Sequence, residues 1–356
     1  MILLQTAIAD YRNSFINNVS KIFGDSFKIN VGPRYFEEST TTSKYVLEQD
    51  YTKEIKNIFL LNNKVCFQLL PLYAVITEDV VVFELNPRII SNWPVMIIRK
   101  LIGKKNVLWG HAWSRNGANS KTEFLRHLMR RLNHSLLFYT EQQKLEFNQK
   151  YPEYKGGTYV APNSLYSEAD IEAVPLSGDD ILYVGRLVKS KRVDLLISAL
   201  SLAINKISHP VKLHIVGNGP EANELHKLTK ELGLEDNVIF YGHVSDINEL
   251  KVLYQSSLLT VSPGYVGLSI TQSFAFGRPM LVADKENHSP EIEAFVEKKN
   301  GLFFSAGSAE DLAAKLIVFF ETKHDWVDKY DEIAQDCKVR YSTEKMANGF
   351  ADAVRK

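Results

Sequence analysis

Two basic side chains follow a short apolar run near the middle of the chain, and their positions suit phosphate binding. Ile181–Val184 ends at Gly185, Arg186 and Lys191 follow in a polar stretch, and a helical apolar period begins at Val193. This order of strand, turn and helix places both cations at the carboxyl end of a buried strand and near a helix amino terminus, where phosphate groups bind. An ordinary βα turn with solvated basic side chains explains the same residues.

A glycine-rich segment, Gly217–Ala222, follows the next predicted strand and fits the GxGxxG/A pattern of dinucleotide-binding proteins. Such proteins use an acid at the end of the following strand to bind the ribose, and that strand ends at Gly242 and His243 without one. Pro220 also removes an amide donor that a pyrophosphate would use. We therefore expect neither a nicotinamide nor a flavin cofactor.

The sequence also lacks HExxH, a Walker loop, GxSxG and an Asp-x-Asp pair that could hold a metal ion, so no metal is expected.

Strand-like and helix-like segments alternate along both halves of the chain, which is typical of α/β proteins with doubly wound parallel sheets. The alternation is interrupted by the aperiodic segment 169–180 and restarts at Ile181. We interpret that segment as the linker between two Rossmann-like domains, residues 1–172 and 173–340. A cleft between the facing carboxyl edges of the two sheets is the expected ligand site.

Two local predictions concern the first half. Ile58–Phe67 reads as one strand-like run. A helix is predicted over Lys121–Asn133, with arginines on the side opposite to an apolar face. That face consists of Phe124, Leu125, Leu128 and Leu132.

The composition, 45% hydrophobic and 24% charged residues, is that of a globular protein. The apolar start of the chain lacks basic residues and is interrupted at Asp10, so it predicts a buried strand, not a signal peptide or a membrane span. Cys66 and Cys337 lie far apart and predict neither a disulfide framework nor a metal site. We expect a cytoplasmic location.

Charge is distributed unevenly along the chain. Residues 1–170 contain 21 Lys and Arg against 16 Asp and Glu, whereas the remainder contains 21 against 26. Residues 99–131 hold nine basic residues and one acid, Glu123. A solvated basic face explains this stretch, and so does contact with an anionic membrane, which would make the protein peripheral to the inner face of the membrane. Without a recognised binding motif or an aromatic stacking platform, nucleic acid is not expected.

Four blocks in the second half, taken with their order and spacing, resemble the donor-binding domain of family-4 retaining glycosyltransferases with the GT-B fold. The blocks are Val184–Leu187 continuing through Lys191–Asp194, Ile215–Pro220, Gly267-Leu268 and Ala275–Pro279. The first half is similar at fewer positions, which are Asp10–Arg12, Trp109–His111 and Ala161–Asn163.

The resemblance implies transfer of a sugar from a nucleotide diphosphate to a hydroxyl of a glycan or lipid-linked glycan, with retention and without metal or other cofactor, as in polysaccharide biosynthesis. It implies catalytic roles for Arg186 and Lys191 at the diphosphate and for His111 facing the donor sugar, although a histidine in an aromatic-rich loop is often only a packed ring. The remaining donor-binding positions are Gly185, Gly217, Gly219, His243, Gly267, Leu268 and Gln272, and the acceptor-side positions are Tyr11, Arg12 and Arg115.

The sequence departs from the family at two positions. The family usually carries glutamates eight positions apart, and Gly264 and Gln272 stand there in this chain. Gln272 keeps an amide oxygen that can accept from a ribose hydroxyl, whereas Gly264 offers no side chain. Glu291 matches a nearby family position or starts a helix. A non-catalytic nucleotide-sugar-binding scaffold and another GT-B chemistry, such as epimerisation, therefore stay open beside the transferase.

No carboxylate is evident opposite the diphosphate turn to act as a nucleophile, so we favour attack on the same face as the leaving group, with the departing diphosphate taking the acceptor proton. Closure of the two domains would exclude water. Fold analogy suggests that the helical pattern over Thr343–Lys356 packs back on the first domain, so residues 341–356 are assigned to that helix.

Overall fold

The computed structural model describes residues 1–37, 40–114 and 117–355. The chain divides into two compact units: residues 1–165 together with residues from 341 onward, and Tyr166–Arg340. Each unit contains its own parallel sheet covered by helices, so the predicted fold class, with two doubly wound α/β domains, is confirmed. Within the described part of the chain, no helix has both the length and the apolar character needed to cross a bilayer.

The first unit is built on a seven-stranded parallel sheet with the strand order β3-β2-β1-β6-β7-β8-β9. β4 and β5 form a separate antiparallel hairpin. The strands are β1 Ile2–Gln5, β2 Lys28–Val31, β3 Thr52–Glu54, β4 Asn57–Leu60, β5 Val65–Gln68, β6 Val80–Glu84, β7 Lys105–Trp109, β8 Ser135–Phe138 and β9 Gly157–Val160. The helices are α1 Asn13–Phe23, α2 Lys44–Leu47, α3 Leu72–Thr77, α4 Asn92–Leu101, α5 Glu123–Arg130 and α6 Glu141–Lys150.

The hairpin corrects the prediction of one strand over Ile58–Phe67. The chain reverses at Leu61, Asn62 and Asn63, which all have left-handed backbone conformations with φ between 53° and 59°. Asparagine tolerates that conformation better than most residues, and the Asn-Asn pair is the local signal for the turn.

The second unit is built on a six-stranded parallel sheet with the order β12-β11-β10-β13-β14-β15. Its strands are β10 Asp180–Val184, β11 Leu213–Val216, β12 Val238–Gly242, β13 Ser257–Ser262, β14 Met280–Ala283 and β15 Gly301–Phe304. Its helices are α7 Val193–Ala203, α8 Ala222–Glu231, α9 Ile247–Ser256, α10 Ser269–Ala275, α11 Ala309–Glu321, α12 Lys323–Val327 and α13 Tyr330–Tyr341. α7 and α11 pack in the main core of this unit.

Segment 169–180, interpreted above as the linker, packs inside the second unit. The N–H of Val174 donates to the carbonyl of Phe276 at 3.2 Å. The buried guanidinium of Arg278 donates to the carbonyls of Val174 (2.8 Å), Tyr254 (2.9 Å) and Ser257 (2.7 Å). The block Ala275–Pro279, which resembles the family, therefore contains an arginine that binds backbone carbonyls of segment 169–180, of α9 and of β13 in the second unit.

The chain then returns to the first unit through α14, Thr343–Arg355. Met346 and Phe350 are buried in the same core cluster as Phe15 of α1, and the rings of Phe15 and Phe350 meet edge to face at 5.6 Å. Ser14 and Thr343 share a hydrogen bond of 2.8 Å between their hydroxyls. The last helix thus completes one face of the first sheet.

The helix α5 buries a different side from the predicted one. Phe124 is 67% exposed and Leu125 is 46% exposed, whereas Met129 is buried and Arg130 is only 1% exposed. The predicted arrangement is therefore wrong for Phe124, Leu125 and Arg130, whereas Leu132, just after α5, packs against the core of the first unit.

Contacts around Arg130 explain why this arginine is buried. Its guanidinium forms an ion pair with Glu123 and donates to the carbonyl of Ala112. It also lies over the rings of Trp113 (5.3 Å) and Phe147 (5.1 Å). A paired and stacked arginine can be buried where a lone charge cannot, and apolar periodicity carries no signal for such a network.

Candidate functional site

Each sheet has one point at which its strand order reverses, and open α/β sheets bind ligands there. In the second unit β10 pairs with β11 on one side and with β13 on the other. The turn after β10 contains Arg186 and Lys191, and the loop after β13 contains Gly264 and Tyr265. Both segments leave the carboxyl edge of the sheet at the reversal, so the fold places them next to each other.

Lys191 connects these two segments. Its Nζ donates to the carbonyl of Tyr265 at 2.7 Å and lies 4.9 Å from the centre of the Tyr265 ring. The N–H of Tyr265 in turn donates to the carbonyl of Ser190 at 2.8 Å. Burial, and to a smaller degree the nearby charge of Arg186, lower the pKa of Lys191 to about 8. Two cations held near each other in a partly buried turn form a site suited to an anion.

Gly264 lies directly against the Lys191 turn. A Cβ at this position would overlap the carbonyl oxygen of Ser190 and would lie 3.0 Å from the Cγ of Arg192. A glutamate cannot replace this glycine unless the backbone moves. The loop of this chain therefore leaves no room for the glutamate that the family usually carries at this position.

Gly217 and Gly219 bring a third turn against the first. A Cβ on Gly217, whose φ is 141°, would overlap the carbonyl oxygen of Gly185, and a Cβ on Gly219 would overlap that of Leu187. The N–H of Leu187 also donates to the carbonyl of Asn218 at 2.9 Å. Both glycines are therefore required by packing, because any larger residue would prevent the turn after β11 from contacting the turn after β10.

Other positions that the sequence predicts to bind the donor lie on or just before α10, which follows the loop after β13. Gln272 lies on α10, and its Nε2 donates to the hydroxyl of Tyr166 at 3.0 Å, which fixes the amide. Burial raises the pKa of Tyr166 to about 12. A Cβ on Gly267 would lie 3.9 Å from the Nζ of Lys191, and the carbonyl of Leu268 accepts from the N–H of Gln272 at 3.0 Å.

Two further predicted positions differ in exposure. His243 follows β12 and is exposed, while the carbonyl of the preceding Gly242 accepts from the N–H of Gly217 at 2.7 Å. Glu291 is buried within a short 3-10 helix, Pro290–Ala294. Both alternatives for Glu291, a site residue and a helix start, remain compatible with its place on that helix.

In the first unit the reversal lies between β1 and β6, and three predicted residues gather near it around Tyr139. Arg12, on a 3-10 turn after β1, places its guanidinium 5.3 Å from the ring of Tyr11 and 5.4 Å from that of Tyr139. The ring of His111 packs against Tyr139 with the centroids 4.7 Å apart. Arg115, the remaining acceptor-side prediction, lies outside the described residues.

Residues 168–337 match the family described as Glycosyl transferases group 1. The second unit is a group 1 glycosyltransferase domain, and the chain is a glycosyltransferase. An uncharacterized glycosyltransferase of Haemophilus influenzae is 26% identical over 273 residues, which cover 73% of this chain and 74% of that protein. The poly(ribitol-phosphate) alpha-N-acetylglucosaminyltransferase of Staphylococcus aureus is 28% identical over 167 residues, covering 46% of this chain and 33% of its own length.

Solved structures extend the similarity to both units. Anabaena HepE in complex with UDP superposes with a TM-score of 0.71 at 16% identity, covering 99% of this chain and 98% of its own. The lipopolysaccharide outer core galactosyltransferase WaaB gives a TM-score of 0.70 at 17% identity, with 99% and 98% covered. The glycosyltransferase therefore has the GT-B fold.

His288 is a positioning residue of the glycosyltransferase that the sequence motifs do not assign. Its Nδ1 accepts from the N–H of Val266 at 3.0 Å, and its Nε2 lies 2.8 Å from the carbonyl oxygen of Ala283. These partners require a neutral ring with the proton on Nε2. Burial lowers the pKa of His288, which favours the same neutral form. The ring thus fixes the loop that meets Lys191. Its only sequence signal is a polar block after β14.

Two charged residues in the first unit also escape motif analysis. Glu84 ends β6 at the strand-order reversal, is buried, and accepts from the N–H of Thr6 in the loop after β1. Burial raises the pKa of Glu84 to about 7. Arg126 donates to the carbonyls of Leu85 (3.1 Å) and His111 (3.2 Å) and so holds the loop that carries His111. An acid at the end of an apolar strand was the available signal for Glu84.

Proposed function

We propose that this glycosyltransferase moves a sugar from a nucleotide diphosphate to a hydroxyl of a glycan or lipid-linked glycan with retention of anomeric configuration. The observation that carries the proposal is the pair Arg186 and Lys191 at the strand-order reversal of the second sheet. Burial and mutual repulsion of these cations lower the pKa of Lys191, and a bound diphosphate would offset both effects. The similar protein HepE has been solved in complex with UDP and with UDP-glucose, which supports a nucleotide sugar as donor.

In the proposed reaction, the bond between the anomeric carbon and the diphosphate oxygen breaks while the acceptor oxygen bonds to the same face of that carbon. The departing diphosphate oxygen takes the acceptor proton. Negative charge grows on the diphosphate as this bond breaks, and Arg186 and Lys191 stabilise it through charge-assisted hydrogen bonds. Because these fixed cations supply the required charge, the proposal needs no metal ion.

Gly264 supports retention without a protein nucleophile. The family position usually occupied by a glutamate has no side chain here and no room for one against Ser190. A double displacement would need a carboxylate close to the anomeric carbon. Gln272, with its Nε2 engaged by Tyr166, keeps an amide oxygen that we assign to a donor hydroxyl.

For the first unit we propose the acceptor role. Tyr11, Arg12 and His111 are gathered around Tyr139 at the carboxyl edge of the first sheet. Similarity to the poly(ribitol-phosphate) alpha-N-acetylglucosaminyltransferase of Staphylococcus aureus supports a hydroxyl-bearing polymer such as a glycan as the acceptor.

The test uses the purified protein, a panel of nucleotide sugars and candidate acceptors. We expect slow release of nucleoside diphosphate that accelerates with the acceptor, is unchanged by a chelator, and yields a product with the anomeric configuration of the donor. Arg186→Ala should weaken nucleotide binding about 10- to 100-fold, since one charge-assisted interaction is lost. Lys189→Ala, in the same turn and exposed, is the control and should bind normally.

Three results would contradict the proposal. An inverted product would remove the retaining mechanism. Nucleotide-sugar binding without release by any acceptor would favour the scaffold alternative, and turnover without acceptor would favour epimerisation. Normal nucleotide affinity in Arg186→Ala would remove the assignment of the diphosphate turn.

A further inference from the structure

Three helices of the first unit form one layer over a single face of its sheet. Val75 of α3, Val95 and Met96 of α4, and Met129 of α5 all belong to the same core cluster. Side chains on the opposite sides of these helices therefore point away from the sheet in a common direction. The layer is tied together by Lys100, whose Nζ donates to the carbonyl of Arg131 just after α5.

The outer side of this layer is apolar. Eight large apolar side chains on it are between 41% and 84% exposed, and we call them the apolar surface: Leu72, Tyr73, Ile97, Ile98, Leu101, Ile102, Phe124 and Leu125. In the second unit the exposed large apolar residues are spread over separate elements, at Leu202, Leu232, Tyr241, Val252, Val296, Val318 and Val339. Isolated exposed apolar residues are normal, whereas a group of this size marks a binding surface.

Three exposed basic side chains lie on or next to the helices that carry the apolar surface. Lys100 lies on α4, Lys121 precedes α5 and Arg131 follows it, and all three are exposed. Glu123, the one acid within 99–131, is buried in its ion pair with Arg130 and does not offset them. Lys104, half exposed, pairs with Asp79 at 2.7 Å.

The basic residues of this stretch thus have different roles in the fold. Arg99 and Arg130 are buried and bind backbone carbonyls, which accounts for their presence without any partner molecule. A solvated basic face accounts for the exposed cations but not for the eight exposed apolar side chains among them.

We propose that the apolar surface with Lys100, Lys121 and Arg131 docks the protein on an anionic membrane. The apolar side chains enter the headgroup region, and the cations contact lipid phosphates, as in interfacial amphipathic helices. Charge complementarity selects a lipid surface over a second copy of this chain, because a symmetric dimer through this surface would bring like charges together. The proposal concerns this surface alone and does not depend on the donor or the acceptor.

The test is co-sedimentation of the full chain with vesicles of phosphatidylcholine alone, or of phosphatidylcholine and phosphatidylglycerol in equal parts. We expect binding to the anionic vesicles at low salt, reduced binding at high salt, and little binding to neutral vesicles. Removing two cations in Lys121→Ser/Arg131→Ser should weaken binding about 20- to 30-fold, since each contributes about fivefold near an anionic surface. Leu101→Ser/Phe124→Ser should weaken it by about tenfold or more.

Matched controls lie in the second unit. Val252→Ser/Val318→Ser removes two exposed valines, and Lys206→Ser/Lys230→Ser removes two exposed cations; both should bind vesicles like the wild type. Far-UV circular dichroism and thermal unfolding of every variant, compared with the wild type, report whether the first unit is folded. Absence of binding to anionic vesicles, equal binding by all variants, or a dimer that Leu101→Ser/Phe124→Ser dissociates would each overturn the proposal.

Discussion

At Lys191 two physical demands oppose each other. Burial and the charge of Arg186 favour the neutral amine, whereas a diphosphate needs the ammonium form as hydrogen-bond donor. The carbonyl of Tyr265 accepts from Nζ at 2.7 Å and holds the side chain in place while no anion is bound. Such a lysine is ready to bind an anion, and its pKa should rise when one arrives.

This arrangement predicts a pH-dependent affinity for a nucleoside diphosphate such as UDP. The pKa of Lys191 in the free protein is lowered to about 8, so the ammonium is present below that pH and is lost as the pH rises through it. Affinity should be nearly constant between about pH 7, where the terminal phosphate of UDP is largely ionised, and the pKa of Lys191, and should fall by up to about tenfold per pH unit above that pKa. Titration calorimetry across this range measures it. Lys191→Met should bind more weakly with a flatter profile, and a flat wild-type profile would contradict the prediction.

The tight packing of Gly264 against Ser190 predicts how a substitution there changes the free energy of unfolding. Gly264→Glu should not restore a family-like site, because the new Cβ meets the backbone of Ser190. We expect a loss of about 1–3 kcal/mol in the free energy of unfolding, as for other overpacked sites, with weaker nucleotide binding. Denaturant unfolding measures the loss. Gly267→Ala is the matched control for stability, since its Cβ would have only ordinary contacts of 3.7 and 3.9 Å. Equal stability of the two variants would show that the loop adapts freely.

Among the secondary-structure elements, the turns could be predicted from the sequence, but the side of α5 that faces the core could not. The turns after β10 and β13 could be predicted, because apolar runs stop there at glycine or proline. The orientation of α5 could not be predicted, because it depends on contacts that Arg130 makes with Glu123 and the carbonyl of Ala112. The guanidinium also packs on the rings of Trp113, Phe147 and Tyr151, which lie outside α5. Likewise, nothing in the local sequence shows that Gly264 touches Ser190, since that contact joins the loop after β13 to the turn after β10, which are far apart in the chain.

The buried ion pair of α5 predicts an asymmetric mutational response. Arg130→Met leaves Glu123 buried without its partner and should lower the free energy of unfolding by about 3–5 kcal/mol. Arg130→Met/Glu123→Gln removes both charges and should recover a large part of the loss. Chemical denaturation of the wild type and both variants gives the values. If the double variant were as unstable as the single one, packing of the guanidinium on Trp113 and Phe147 would be the dominant contribution instead of charge pairing.

The two units differ in how the chain builds them. The second unit is one continuous stretch, Tyr166–Arg340, whereas the first needs α14 from the other side of that stretch. The fold class and the alternation of both halves could be predicted from sequence, because parallel sheets give a repeated apolar pattern. The core contacts of α14 could not be predicted, since Phe350 of this helix packs against Phe15 and Trp109, which lie more than 200 residues earlier in the chain.

This difference predicts the behaviour of fragments. Residues 166–340 expressed alone should fold cooperatively and bind a nucleoside diphosphate, because their core is complete. Residues 1–165 should aggregate or remain poorly folded, because removal of α14 exposes Phe15 and its neighbours. Circular dichroism and thermal unfolding distinguish the outcomes. Addition of a peptide with the sequence of residues 341–355 should increase the folded fraction of the 1–165 fragment. A stably folded 1–165 fragment whose folded fraction does not change when the peptide is added would contradict the prediction.

The late position of α14 also has a consequence for synthesis on the ribosome. The first sheet emerges early, but the helix that covers one of its faces is translated only after the whole second unit. During that interval the apolar face beneath α14 is open to chaperones, and a chain that stops early cannot complete its first unit. Interrupted translation therefore yields a product that quality control can recognise, instead of a half enzyme that binds nucleotide sugar and persists in the cell.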